Sequence, residues 1–158
     1  MSTASNADGL GVLNIDTTID LEASASEAWK VFGEGFGTWD TWSDGIVSSS
    51  LNGPVAQGVT RTNDAKGFGM MSQELTEYDP DARALTYEIR TGMPAVIRTV
   101  RNAWTIEELG ENRSRIVGRA RFELTWWAIP LTPLLRKKMA GSLGTFAGEL
   151  ASHLAQKP

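Results

Sequence analysis

Arg115-Ile116-Val117-Gly118-Arg119-Ala120-Arg121-Phe122-Glu123-Leu124-Thr125-Trp126 alternates without a break. Ile116, Gly118, Ala120, Phe122, Leu124 and Trp126 are apolar or tiny, and Arg115, Arg119, Arg121 and Glu123 stand between them. A period of two puts one set on a dry face and the other in water, so the segment reads as a strand with one buried side. At ~3.3 Å per residue it would span about 40 Å, long enough that it must bend, and Gly118 is the expected bend point. After Trp127, Pro130 and Pro133 the period becomes that of a helix. Leu135, Met139, Leu143, Phe146, Leu150 and Leu154 recur at intervals of four, four, three, four and four. Thr132 is placed to cap this helix, and Pro133 suits its first turn. Gly141, Gly144 and Gly148 lie inside it, where each costs ~1 kcal/mol relative to alanine. They either leave room between helix and sheet or allow close backbone packing.

Working outward, Leu13, Ile15, Thr17, Ile19 and Leu21 alternate with polar residues and form a first strand. Ser24-Ala25-Ser26-Glu27 fits a capping box ahead of a helix carrying Ala28, Trp29, Val31 and Phe32. Phe36, Trp39 and Trp42 follow at intervals of three, as in a second short helix. Turn signals at Asn52-Gly53-Pro54, Asp64-Ala65-Lys66-Gly67, Asp79-Pro80-Asp81, Gly92-Met93-Pro94 and Gly110-Glu111-Asn112 then divide a series of short strands. The order predicts an α+β domain: a curved antiparallel sheet of about seven strands wrapped around a long C-terminal helix, with one or two short helices after strand 1. Residues 1–11 are small and polar and read as a disordered tail ahead of a single domain over 12–158.

The chain has 158 residues, 41% of them hydrophobic, six tryptophans, no cysteine and a net charge of −4. That excludes disulfides and thiol chemistry, and argues against a mainly electrostatic nucleic-acid binder. No apolar run approaches the ~20 residues needed to span a bilayer, and the start does not resemble a signal peptide, so a cytoplasmic location is expected. No cluster of His, Asp and Glu has metal-ligand spacing, and no phosphate-binding glycine motif is present, so neither metal nor cofactor is expected. His153, the single histidine, falls near the end of the terminal helix, where it suits the last carbonyls.

Several segments in this order resemble a known family. They are Ala28-Trp29-x-Val31-Phe32-Gly33 with Phe36-x-x-Trp39, Gly58-Val59-x-Arg61-Thr62, Glu74-Leu75 ahead of Asp79, Leu85-Thr86-Tyr87-x-Ile89, and Met93-Pro94. Together they resemble the START-like, or SRPBCC and Bet v 1-like, superfamily in its bacterial polyketide cyclase/dehydrase-like branch, over about residues 12 to 156. The resemblance implies the helix-grip fold with an internal pocket. It implies a reaction far less strongly, because such folds host carriers, receptors and cyclases alike.

The candidate site follows from these patterns. Arg61 and Glu74 share a sheet face if Ala65-Lys66 is a two-residue turn, since Arg61 then opposes Met70 and Glu74 opposes Gln57. Facing inward, they would orient a polar ligand head or act as acid and base, and they are the two candidates for catalysis. Facing outward, they are structural. Asn102 stands on an otherwise apolar face with Val100, Trp104 and Ile106 and needs a partner, either ligand or water and backbone. Tyr87 either points its hydroxyl into the cavity or caps the core. Trp39, Trp42, Met93, Trp126 and Trp127 fall near element ends, where a pocket mouth or a packed rim would be. Trp104, Phe122 of the last strand, and Met139, Leu143 and Phe146 of the helix would line the cavity. Trp126-Trp127-Ala128-Ile129-Pro130-Leu131 and Leu134-Leu135-Arg136-Lys137-Lys138 form an apolar stretch with a basic edge. It is either a buried joint or a transient contact with a membrane. The leading expectation is binding or transport of a hydrophobic small molecule, such as a lipid, polyketide or aromatic compound. The alternatives are a polyketide aromatase/cyclase using the same pocket and a protein-interaction or stress-response module without one.

Overall fold

The computed structural model describes residues 2–5, as backbone, and 10–156. It is an eight-stranded sheet gripping one long helix. The strands are β1 (Ser2–Ser5), β2 (Val12–Leu21), β3 (Ile46–Leu51), β4 (Thr60–Ala65), β5 (Gly69–Asp79), β6 (Ala84–Thr91), β7 (Ile97–Gly110) and β8 (Arg113–Leu124). All neighbours are antiparallel, in the order β1-β2-β8-β7-β6-β5-β4-β3. Strands β3 to β8 form a continuous meander, and the early β2 closes against the late β8 from Val12↔Glu123 to Leu21↔Ser114. Ser2–Ser5 pair with β2 where a disordered tail is expected from the sequence. A Ser-Thr-Ala-Ser segment has no hydrophobic alternation, and what recruits it is the unpaired backbone edge of β2. Residues 1 and 6–9 of that tail lie outside the described residues.

Between β2 and β3 the chain forms α1 (Ala25–Trp29), a π-helical turn at Lys30–Glu34 and a 3-10 turn at Trp39–Thr41. The Ser24 Oγ accepts from the Glu27 N–H at 3.1 Å, so the cap sits where the sequence places it. A second 3-10 helix, Trp126–Leu131, leads into α2 (Thr132–Ala155). Thr132 is the first residue of α2 rather than its cap, and its hydroxyl donates back to the Ile129 carbonyl. The helix would be about 36 Å long at 1.5 Å per residue, and its buried side chains are Leu135, Met139, Ala147, Leu150 and Leu154.

Two apolar clusters fill the space between sheet and helix. One is aromatic, with Trp29, Phe32, Phe36, Trp39, Trp42, Tyr87 and Trp104 at its centre. The other is mainly aliphatic, with Leu13, Ile15, Val100, Phe122, Leu124 and Met139. Gly118 belongs to the first for a reason its spacing does not reveal. The ladders of β8 with β2 and β7 run through it without a register shift. It lies directly opposite Trp104, and a Cβ there would overlap the indole ring. The irregularities lie elsewhere, at Ile46/Ser48, Ser72/Gln73, Leu75/Glu77, Ile97/Thr99 and Glu108/Gly110, where an extra residue bends a strand and increases its twist. Gly118 is therefore the seat of Trp104, not a bulge.

The helix glycines act differently. A Cβ built at Gly141 or at Gly148 meets nothing within 4 Å, so neither serves close packing. Opposite stability changes follow. Gly118→Ala should cost about 1–3 kcal/mol by overpacking, whereas Gly141→Ala should add about 1 kcal/mol by helix propensity. Urea denaturation of both variants measures this. A stabilised Gly118→Ala or a destabilised Gly141→Ala would contradict the packing described.

Candidate functional site

A cavity of about 710 Å³ lies between the two clusters. The sheet supplies Met71, Ile89, Val100, Asn102 and Phe122, and α2 supplies Met139, Leu143 and Phe146. These residues meet because each occupies the inward position of its own strand or the apolar stripe of the helix. Exposed Asp44, Lys66, Phe68, Lys138, Gly141 and Ser142 rim the opening. The floor is thus apolar and the rim, apart from Phe68, mainly polar, the usual division in a small-molecule site. One side of the rim is clipped to the helix. Glu149 accepts from the Ser43 hydroxyl at 3.1 Å and from the Asp44 N–H at 2.6 Å.

Asn102 is the polar exception in the wall. It is 5% exposed, faces Tyr87 on β6 and Ala120 on β8, and lines the cavity. Its Oδ1 has no hydrogen-bond partner among the described residues. A buried amide oxygen left unpaired costs roughly 1–3 kcal/mol, so this position carries a cost that the fold itself does not require.

Arg61 is fully buried and does not line the cavity. Its Nη1 donates to the Phe36 carbonyl at 2.6 Å, and its Nε donates to Gln73 Oε1 at 2.7 Å. Nη2 donates to the same oxygen, which also accepts from Asn63 Nδ2 at 3.1 Å. The guanidinium carbon lies 3.8 Å from the Phe36 ring centroid, 4.0 Å from Trp39 and 5.1 Å from Tyr87. Ring faces thus take the place of a carboxylate. Burial lowers the Arg61 pKa to about 9, against an opposing effect of Tyr87, so the group stays charged at neutral pH. Burial also raises the Tyr87 pKa, with Arg61 pulling the other way. The folded chain would release the Arg61 proton near pH 9, while the unfolded chain keeps it to more alkaline pH. The burial penalty is therefore in full force below pH 9 and is relieved as pH rises through that window.

Glu74 does not share this face. The observed pairing is Arg61↔Gln73 and Thr60↔Glu74, because the hairpin closes at Ala65↔Gly69 around three residues, with Gly67 and Gly69 at positive φ (+85° and +80°). A two-residue turn would set Arg61 against Met70. The true register is displaced by an odd number of residues, which sends Glu74 to the opposite face. There it pairs with Arg90 at 3.4 Å in a half-exposed setting.

Of the other candidates, Met93, Asn102, Phe122, Met139, Leu143 and Phe146 line the cavity, and Trp39, Trp42, Tyr87, Trp104 and Trp126 do not. Trp39 is turned into the aromatic cluster, its indole N–H donating to the Phe32 carbonyl at 2.9 Å. Trp42, Tyr87 and Trp104 pack around it, and Trp126 is exposed. Sequence reasoning missed Met71, Ile89 and Val100, which the correct register would have placed, and the rim residues of the loops. Among the described residues no cluster of His, Asp and Glu is arranged to hold a metal.

Two substitutions separate these roles. Arg61→Ala should lose about 3 kcal/mol or more of stability by opening a hole and stranding the Phe36 carbonyl and Gln73, and a loss below about 1 kcal/mol in urea would contradict that role. Glu74→Gln should change stability by less than about 0.5 kcal/mol, as for an exposed ion pair.

Comparison with solved structures finds the same fold at low identity. Truncated norcoclaurine synthase from Thalictrum flavum superposes with a TM-score of 0.76 at 13% identity, covering 98% of this chain and 100% of that one. A START superfamily protein from Mycobacterium smegmatis also gives 0.76 at 15% identity, covering 90% and 97%. Ara h 8.0201 gives 0.71 at 15%, covering 93% and 100%. A comparison with curated proteins returned no match. The profile described as polyketide cyclase / dehydrase and lipid transport matches residues 13–155. With that match over most of its length and a sheet gripping its terminal helix, the chain belongs to the polyketide cyclase / dehydrase and lipid transport family, within the START-like, Bet v 1-like fold.

Proposed function

We propose that the protein binds a hydrophobic small molecule bearing one hydrogen-bonding group, with its apolar body in the cavity and that group on Asn102. The observation that carries this reading is the unpaired amide oxygen of Asn102 in an apolar wall. A buried polar group without a partner calls for an explanation, and a ligand hydroxyl donating to the Asn102 oxygen supplies one. The amide can present either its oxygen or its nitrogen by turning about the Cβ–Cγ bond, so it suits a donor or an acceptor. Apolar burial provides most of the affinity, and the single polar contact fixes orientation. Family membership supports the same reading, since hydrophobic ligands are the family's general cargo. Glu74 and Arg61, the acid–base candidates of the cyclase reading, do not line the cavity, and this favours binding over that chemistry. The interaction-module reading needs helix and sheet in full contact, and a cavity separates them there.

Asn102→Leu tests the assignment because it moves stability and binding in opposite directions. Removing the unpaired amide should stabilise the fold by about 1 kcal/mol. Calorimetric titration should show wild-type protein preferring 1-naphthol to naphthalene by about tenfold, the worth of one buried hydrogen bond, and Asn102→Leu should erase that preference. Equal affinity of the wild type for both compounds, or a preference that survives the substitution, would overturn the role of Asn102.

A further inference from the structure

Among the described residues nine large hydrophobic side chains are exposed, and five of them gather at one end of the molecule. Trp126 is 81% exposed and Trp127 49%, and Leu10, Leu131 and Leu134 are exposed beside them. Leu10 joins the group because Gly11 is hydrogen-bonded through its carbonyl to Leu124 N–H and sits against Ile129. Leu131 and Leu134 continue the patch along the start of α2, since residues three apart lie on one face. A cluster of this kind on a soluble-type fold marks a contact surface.

Charge identifies the partner. Arg136, Lys137 and Lys138 follow immediately, and among the described residues none of them forms an ion pair. By contrast Arg90, Arg98, Arg101, Arg113, Arg115 and Arg121 on β6, β7 and β8 each meet a carboxylate. Glu123, the acidic residue of this end, is held by Arg98 at 2.7 Å. A protein of net charge −4 is repelled by an anionic surface unless it presents a local patch of cations. Here that patch adjoins two exposed tryptophans, side chains that favour the boundary between headgroups and acyl chains. It is also continuous with the ligand site, because Lys138 stands on the cavity rim one turn beyond Leu134.

We propose that this end of the molecule docks on an anionic lipid bilayer, with Trp126, Trp127 and Leu134 at the headgroup boundary and Lys137 and Lys138 on lipid phosphates. Docking there brings the cavity rim to the surface from which an apolar ligand would be taken or to which it would be returned. The proposal rests on the cavity reading for its purpose but not for its chemistry.

Co-sedimentation of the full chain with vesicles tests it. Vesicles containing about a third phosphatidylglycerol should retain the protein, and vesicles of phosphatidylcholine alone should not. Trp126→Ser/Trp127→Ser and Lys137→Glu should each weaken retention by about tenfold, and raised salt should weaken it further. The substituted side chains are exposed, and circular dichroism of each variant checks that it folds. Binding of 1-naphthol should be unchanged in all of them, so failure of docking and failure of the cavity reading give different results. No retention on anionic vesicles, equal retention on neutral ones, or retention indifferent to these substitutions would overturn the proposal. So would a dimer in solution that the tryptophan substitutions abolish without any vesicle binding.

Discussion

Phe146 packs among the rings of Phe32, Trp39, Trp42 and Trp104, with centroids between 5.1 and 6.3 Å away, and this contact sets how far α2 stands from the sheet. The rings form a block at one end of the grip. The block needs Gly118 beneath Trp104, since any Cβ there would displace the indole. It needs Arg61 behind it, whose guanidinium ties the Phe36 carbonyl to Gln73 of β5 while three ring faces cover the charge. Beyond Phe146 toward the start of the helix this block of rings ends, and Phe122 lies with aliphatic side chains. Gly141 and Ser142 carry little side chain, and the gap left between α2 and the sheet is the cavity.

The same arrangement explains why charge and chemistry are separated here. Arg61 is buried and charged at neutral pH, features that often mark a functional group. Its hydrogen-bonding capacity is instead spent on the fold, on a backbone carbonyl and a glutamine that also holds Asn63. Asn102 is the reverse case. It is neutral, also buried and without a partner for its oxygen. A site for an apolar molecule needs only that much polarity, because a single directional contact orients what hydrophobic burial retains.

Much of the fold was legible because its elements are long and strongly periodic. The alternation over Ile116–Leu124 and the stripe from Leu135 to Leu154 state their own structure, and Ser24 with Glu27 marks the helix start. The face of Arg61 and Glu74 was not legible in the same way. It depends on whether one hairpin turn holds two residues or three, and an odd displacement reverses every side chain. Asn102 could be found because a lone amide among Val100, Trp104 and Ile106 breaks a pattern. The rim residues Asp44, Lys66 and Glu149 break none, since only tertiary packing brings their loops and the helix together. Strand β1 was hidden for the complementary reason. Its pairing is a property of the β2 edge, not of its own side chains.

The central claim is that aromatic packing around Phe146 holds open a cavity that takes an apolar small molecule. Native mass spectrometry of freshly purified protein tests it most directly. The account predicts a species heavier than the chain by one small molecule, whose added mass disappears when the protein is denatured. Only the mass of the bare chain, both as purified and after incubation with aromatic alcohols, would contradict it.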